Sequence, residues 1–212
     1  MADRPSLEVV NEVLGKSPER HFGQTLELAV NLKDLDLTVP KNRLEDEVQL
    51  PNGRGKTVKV AVFGSPELLQ KVRGVADLVV PANELDEFAK DKKAAKKAVN
   101  SIDFFLAEAP LMPTIGKRLG VVLGPRGKMP RPVPPGSDPT NLVNALKRSI
   151  RVRSKGNRTF HAPVGTQSMA PELIAQNVDA VLNRIVGKLE RGRTNIESVY
   201  LKTTMGPAVR MW

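Results

Sequence analysis

The residues of this chain best placed to do chemistry lie in one late stretch, Glu197-Ser198-Val199-Tyr200-Leu201-Lys202-Thr203-Thr204-Met205-Gly206-Pro207. Strict alternation puts Ser198, Tyr200, Lys202 and Thr204 on one face and Val199, Leu201 and Thr203 on the other, the pattern of a half-buried strand. Gly206 admits the close approach of another backbone, and Pro207 fixes the direction in which the chain leaves. Hydroxyls, an ammonium and a stiff corner suit contact with a polar, phosphate-rich partner. An edge strand leaving its sheet would read the same way, and spacing does not separate the two.

Other clusters invite chemistry and fall short of it. Gly53-Arg54-Gly55-Lys56-Thr57 ends like a phosphate-binding loop, but Leu50 stands where that motif needs its first glycine. Strand-like residues rather than a helix follow from Val58. Gly124-Pro125-Arg126-Gly127-Lys128-Met129-Pro130 reads equally as a phosphate grip or a solvated turn. Arg148, Arg151, Arg153, Lys155 and Arg158 form a basic run, either phosphate contacts or a solvated surface. His21 and His161 are the only histidines and cysteine is absent, so neither a metal site nor a thiolate nucleophile is expected. No spacing brings together a nucleophile, a base and an orienting group, so no catalytic residue and no cofactor are expected. One enzyme reading stays open as the alternative, a nucleotide-binding α/β enzyme acting at the middle of the chain.

Composition points to the partner. The 212 residues carry a net charge of +10, with 33 Lys+Arg intermixed with 23 Asp+Glu, so a folded basic protein with a polyanionic partner is expected. Nucleic acid ranks before an acidic membrane. No stretch resembles a signal peptide or reaches membrane-spanning length, which predicts a soluble cytoplasmic protein. Aromatics make up only 4%, too few for a chain built to stack single strands. Folded RNA or duplex read through phosphates and hydroxyls fits better.

The elements that must position these residues emerge from periodicity. Ser6 to Leu14 predicts a helix with Leu7, Val10, Val13 and Leu14 on one face, closed by Gly15. Thr25 to Leu32 predicts a strand with Leu26, Leu28, Val30 and Leu32 inward. Arg43 to Gln49 reads as a charged connection and Leu50 to Lys56 as a loop. From Val58 the style changes. Strands at Val58–Phe63, Leu78–Val80 and Phe104–Ala107 alternate with helices, the first capped by Ser65 with Pro66 at its start. A helix around Leu85–Val99 carries Lys90, Lys92, Lys93, Lys96 and Lys97, a solubilising face or a phosphate contact. Another, opened by Asp138-Pro139, carries Leu142, Val143, Leu146 and Ile150. This alternation implies a small, mostly parallel α/β unit. After Arg151 the first style returns, with a hairpin around Lys155-Gly156-Asn157 and a helix at Pro171–Leu189. That helix places Leu173, Ile174, Val178, Val181, Leu182, Ile185 and Leu189 in register. Both ends of the chain are therefore expected to form one α+β domain, interrupted by the α/β unit.

With both halves in view, the chain resembles the ribosomal protein L-one family of the large-subunit lateral stalk, in its archaeal form. The resemblance runs nearly end to end. It is carried by Phe22-Gly23-Gln24-Thr25-Leu26-Glu27, Asn31-Leu32-Lys33-Asp34-Leu35-Asp36, Leu50-Pro51-Asn52-Gly53-Arg54-Gly55-Lys56 and the loop Gly124–Pro130. His161-Ala162-Pro163-Val164-Gly165 and Ser198-Val199-Tyr200 with Thr203-Thr204-Met205-Gly206-Pro207 complete it. The resemblance implies a split α+β RNA-binding domain of residues 1–57 plus 152–212 and a Rossmann-like three-layer α/β insert of residues 58–151. It implies binding to large-subunit rRNA within the ribosome, help in releasing exit-site tRNA, and repression of translation through the protein's own mRNA. It further implies a free protein that is monomeric. The family's RNA contacts match Phe22, Thr25, Glu27, Ser198, Thr204, Met205 and Gly206. A basic residue commonly precedes the phenylalanine; here it is His21, mostly neutral at pH 7.

The resemblance and the charge disagree about where RNA binds. Residues 58–151 hold 16 Lys+Arg and 9 Asp+Glu, and the remainder 17 and 14, so charge alone would put RNA on the insert. The resemblance puts it on the split domain. There Thr25 and Glu27 share a face, as do Ser198 and Thr204, offering hydroxyls and a carboxylate to 2′-OH groups. Thr204 is expected beside Ser198, and Thr204→Val to leave folding nearly unchanged.

Overall fold

Leu26, Leu28, Val30 and Leu32 are buried while the residues between them are half-buried, so Thr25–Leu32 (β1) is a strand with one face sealed and one open. The computed structural model describes residues 4–85, 92–134 and 137–212. Helix α1 (Ser6–Gly15) precedes β1, and β2 (Glu45–Gln49) comes after it. Next come β3 (Val60–Gly64), α2 (Pro66–Val72), β4 (Leu78–Pro81) and α3 (Lys92–Ser101). They are followed by β5 (Phe104–Glu108), α4 (Met112–Leu123), β6 (Arg131–Val133) and α5 (Thr140–Lys147). β7 (Ser149–Arg153), β8 (Thr159–Thr166), α6 (Pro171–Lys188), β9 (Ile196–Thr203) and β10 (Val209–Arg210) complete the order. The chain divides into two compact units, residues 1–56 with 148–212 and residues 57–147.

In the first unit an antiparallel sheet runs in the order β10-β9-β1-β8. Its inward face, with Leu28, Val164, Val199 and Leu201, packs on Val9, Val10 and Val13 of α1 and on Ile174, Val178, Val181 and Ile185 of α6. β9 is an interior strand. The chain turns after Thr203 and pairs back as β10, so the edge-strand reading of this stretch is wrong. Within the helices the buried faces are shifted from expectation: Val9 takes the place of Leu7, and Leu7 and Leu173 are exposed.

The charged stretch that reads as a connection is the strand β2. It pairs antiparallel with β7, and Val48, Ile150 and Val152 of this ribbon join the first unit's core. Apolar alternation does not mark β2, because its acids find partners instead. Arg151 bonds Glu47 at 3.0 Å, Arg153 meets Glu45 at 2.9 Å, and Arg184 of α6 meets Asp46 at 2.6 Å. Ile150 therefore belongs to a strand rather than to the preceding helix. The turn at Lys155, whose φ is +51°, joins strands of different sheets and makes no hairpin. Residues 148–151 fall with the chain ends, although their sequence pattern assigns them to the insert. With that boundary the first unit holds 19 Lys+Arg and 14 Asp+Glu and the second 14 and 9, so both carry +5 and the charge contrast disappears.

The second unit is a parallel sheet in the order β4-β3-β5-β6. Ala61, Phe63, Phe105 and Ala107 face Val99 of α3 and Ile115 and Leu119 of α4; Val60, Val62 and Leu106 face Leu68 and Val72 of α2 and Val143 and Leu146 of α5. Covered on both sides, the strands read as continuous apolar runs, and three layers result. Phe63 and Phe105 stack with ring centroids 5.8 Å apart. Periodicity does not announce α4, because Pro113, Gly116 and Gly120 mask it; the proline sits in the first turn, where a helix tolerates it. Lys93, Lys96 and Lys97 are exposed on α3, while Lys90 lies outside the described residues. Among the described residues no helix is long and apolar enough to cross a membrane, and no cluster of three or more His, Asp or Glu could hold a metal.

Candidate nucleic-acid interface

The open face of the first unit's sheet is a set of cross-strand rows, because directly opposed residues of antiparallel strands share a face. Ser198, Asn31 and Thr159 make one row, Arg210, Tyr200, Ala29 and His161 the next, and Lys202, Glu27 and Pro163 the third. The first row is self-bonded. Asn31 Nδ2 donates to Ser198 Oγ at 2.8 Å, and Thr159 Oγ1 donates to Asn31 Oδ1 at 2.7 Å. Ser198 is buried, its oxygen already used as an acceptor.

Beyond the third row the sheet ends in a corner where several loops meet. Thr204 lies in the turn after β9 and its backbone N–H donates to Thr25 O at 3.0 Å. Thr204 Oγ1 accepts the Thr25 N–H at 3.1 Å and donates its hydroxyl hydrogen to Thr25 O at 3.2 Å. From the loop before β3, Lys56 Nζ donates to Thr25 Oγ1 at 2.6 Å. Gly55, with φ +73°, lets this loop press against Thr166 and Met169; any side chain there would collide with both.

Beneath the corner lies a buried polar support. Fully buried Gln24 donates from Nε2 to Ser17 Oγ at 3.1 Å and to Pro18 O at 2.7 Å, and its Oε1 accepts the Met205 N–H at 3.0 Å. Ser17 Oγ and buried Thr203 Oγ1 are 2.8 Å apart. A Cβ on Gly206 would collide with that Thr203 oxygen and lie 3.6 Å from Ser17 Cα. The turn is thereby pinned from below, and it holds Met205 at 53% exposure, with Phe22 at 52% in the loop ahead of β1. Such a corner offers backbone-rigid hydroxyls, one ammonium and two apolar side chains to a partner.

Of the residues expected at the site, Thr25, Thr204, Met205 and Gly206 are joined at this corner, Phe22 is exposed in the loop ahead of β1, and Glu27 lies one row in, opposite Lys202. Ser198 does not stand beside Thr204; it sits at the far end of β9, in the Asn31 row. Lys56, Gln24, Ser17, Asn31 and Thr159 are parts of the face that sequence reasoning misses. Lys56 stands out in sequence only as the lysine of the glycine-rich loop Gly53–Thr57, and its contact with Thr25 exists only through the fold. The buried amide of Gln24 and the hydroxyl of Ser17 carry no periodic signal.

The basic clusters that invited phosphate are largely committed elsewhere. Lys128 Nζ donates to Val99 O at 2.8 Å and Ile102 O at 2.5 Å, closing the end of α3; Arg126 donates to Val122 O at 3.1 Å, closing the end of α4. Arg151 and Arg153 pair with the acids of β2. Burial alone would raise the Asp46 carboxyl, but the Arg184 hydrogen bond and the charges of Arg184 and Lys188 outweigh it and hold it below its ordinary value. At the carboxyl ends of β3 and β5, where an open α/β sheet takes its nucleotide, the Ser65 N–H donates to the Glu108 carboxylate at 2.8 Å. A carboxylate thus occupies the position a phosphate would need.

Comparison with known proteins places these features in a family. The sequence profile of the ribosomal protein L1p/L10e family matches residues 14–207. The large ribosomal subunit protein uL1 of Thermoplasma acidophilum is 59% identical over 202 residues, covering 95% of this chain and 93% of that protein. Large ribosomal subunit protein uL1 of Methanocella arvoryzae is 49% identical over 212 residues, the whole of both chains. The same-named protein of Pyrococcus horikoshii is 50% identical over 208 residues, covering 97% and 94%.

Proposed function

The chain belongs to the ribosomal protein L1p/L10e family, and on that premise we propose that it binds large-subunit ribosomal RNA through the open sheet face and the Thr25–Thr204 corner. As a member of that family it is a structural protein of the large ribosomal subunit and not an enzyme. The observation that carries the reading is the pinned corner, where paired backbone and a buried Gln24–Ser17–Thr203 support fix Thr25 and Thr204 before any partner arrives. Preorganised hydroxyls meet 2′-OH and phosphate oxygens without an ordering penalty.

In this reading each residue has a task. Thr25 accepts Lys56 and turns its own O–H outward to the RNA. Glu27 accepts 2′-OH groups, Phe22 and Met205 cover sugar and base edges, and Gly206 keeps the turn thin enough for a backbone to approach. Asn31 takes one of the two lone pairs of Ser198 Oγ, and the hydroxyl hydrogen of Ser198 is left for the RNA. The same surface would bind a matching fold in the protein's own messenger and so repress translation, and on the ribosome the protein would move with exit-site tRNA as it leaves. The free protein is read as a cytoplasmic monomer.

The test is an equilibrium competition at physiological salt between a lateral-stalk fragment of large-subunit ribosomal RNA and a duplex DNA of equal length. A face that reads 2′-OH groups prefers the RNA strongly. Equal affinity for both would overturn the proposal.

A further inference from the structure

The row Arg210–Tyr200–Ala29–His161 takes one residue from each strand of the sheet. Its placement on the open face agrees with burial. Val209, Val199, Leu201, Leu28, Val30, Phe160 and Ala162 around it are buried, Tyr200 and Ala29 are half-buried, and Arg210 and His161 are exposed. Tyr200 is the chain's one tyrosine. Neither neighbouring row, Ser198–Asn31–Thr159 or Lys202–Glu27–Pro163, holds an aromatic ring.

The spacing is suited to a flat guest. Ala29 has the smallest side chain on the open face of β1, and it separates Tyr200 from His161 by two strand spacings, roughly 10 Å. A nucleobase occupies about 3.4 Å along its stacking direction, so the span over Ala29 between these two strands is wide enough to admit one. The Ser198–Asn31–Thr159 row is closed by its own hydrogen bonds, so the aromatic groups of the face lie in the row beside it. Four-stranded antiparallel sheets backed by helices hold unpaired bases on aromatic side chains of their strands, and β9 and β1 are the interior strands here. Arg210 sits at the outer margin of the row, where its Nε donates to Trp212 O at 2.7 Å and leaves the outer nitrogens of the guanidinium for a guest.

We propose that this row is a stacking site for one unpaired nucleobase of the bound RNA, held on the Tyr200 ring over Ala29, with Arg210 meeting the adjoining phosphate. The proposal rests on the reading of this face as the RNA surface. Tyr200 as mere cross-strand packing is the competing account, and it predicts effects on stability without effects on the bound ring.

Because Tyr200 is the one tyrosine, incorporating 3-fluorotyrosine into the full chain gives a single fluorine resonance that reports this ring alone. On titration with the lateral-stalk RNA fragment the resonance should move upfield, the mark of a stacked base, and a fully paired RNA duplex should leave it in place. Tyr200→Ala should weaken binding of the fragment about five- to 150-fold, as loss of one stacked base does, and Tyr200→Phe should stay within about twofold of wild type. Ala29→Ile, which fills the floor with a residue suited to strands, should weaken binding while leaving thermal unfolding unchanged. An unmoved resonance on a fragment that binds, or equal losses for Tyr200→Phe and Tyr200→Ala, would overturn the stacking site alone. Failure of the wild type to bind the fragment would overturn the interface reading and this one with it. If Tyr200→Ala does not fold, the fluorine shift and Ala29→Ile decide.

Discussion

Gly206→Ala isolates the steric logic of the corner. Nothing in the backbone forbids alanine at Gly206, whose φ is not in the left-handed region; the obstacle is the Thr203 oxygen, buried and 2.8 Å from Ser17 Oγ. An added methyl must displace that oxygen. The displacement breaks the Ser17–Thr203 hydrogen bond and leaves a buried hydroxyl unsatisfied, a loss of about 1–3 kcal/mol. Thr203→Ala forfeits the same hydrogen bond but clears the space. The Gly206→Ala, Thr203→Ala double variant should therefore lose little more than Thr203→Ala alone, a coupling of about 1–2 kcal/mol. Urea unfolding of the four proteins, fitted with a common slope, measures it. Additive losses would show that Gly206 is glycine for another reason, contact with RNA being the first. Gly206→Ala should in either case weaken RNA binding under conditions where the protein is fully folded, because the methyl thickens the turn that the RNA approaches.

The split architecture makes two further outcomes testable. Replacing residues 57–147 by a short Gly-Ser linker should leave a folded, RNA-binding module, because Leu50 N–H already bonds Arg148 O at 2.9 Å and each unit has its own core. Removing residues 58–151 instead strips Ile150 from that core and Arg151 from Glu47, and circular dichroism should show a much lower melting temperature. Asp46→Asn should destabilise the first unit by up to about 1 kcal/mol at neutral pH, since the partners are partly exposed. The Asp46 carboxyl is held below its ordinary value in the fold, so its contribution is complete above the unfolded value. It is lost as pH falls through the folded one. Wild type and variant should thus converge in stability in acid; a difference that persists there would remove the ion pair as its cause.

Periodicity carries much of the fold and little of the site. β1 and β9 announce themselves by alternation, and β3 and β5 by apolar runs that only a sheet covered on both faces tolerates. β2 was illegible because its strand character lies in cross-strand charge pairs with Arg151 and Arg153, which have no signature until the register is known. The same holds for the basic loop at 124–130, whose Arg126 and Lys128 looked available and close helix ends instead. At the candidate site, alternation assigned Thr25 and Glu27 to one face correctly. It failed at Thr204, because β9 ends at Thr203 and the turn, not the pleat, directs the side chains past that point. It also put Ser198 and Thr204 together, although strand pairing holds them at opposite ends of the face. Thr204→Val is consequently not silent for the free protein. Its hydroxyl holds the Thr25 backbone, and its removal should lower stability by about 0.5–1.5 kcal/mol.

On the proposed reading RNA meets the corner of the split unit and not the lysine-rich helix of the other. The most direct measurement is the affinity of Thr204→Val and of Lys96→Ala for one lateral-stalk RNA fragment, at fixed salt and at a temperature where both are fully folded. Thr204→Val should leave RNA polar groups unpaired at the interface and weaken binding about five- to 150-fold. Lys96→Ala, which removes an exposed charge from α3, should change affinity far less. A larger loss from Lys96→Ala than from Thr204→Val would move the RNA to the other unit.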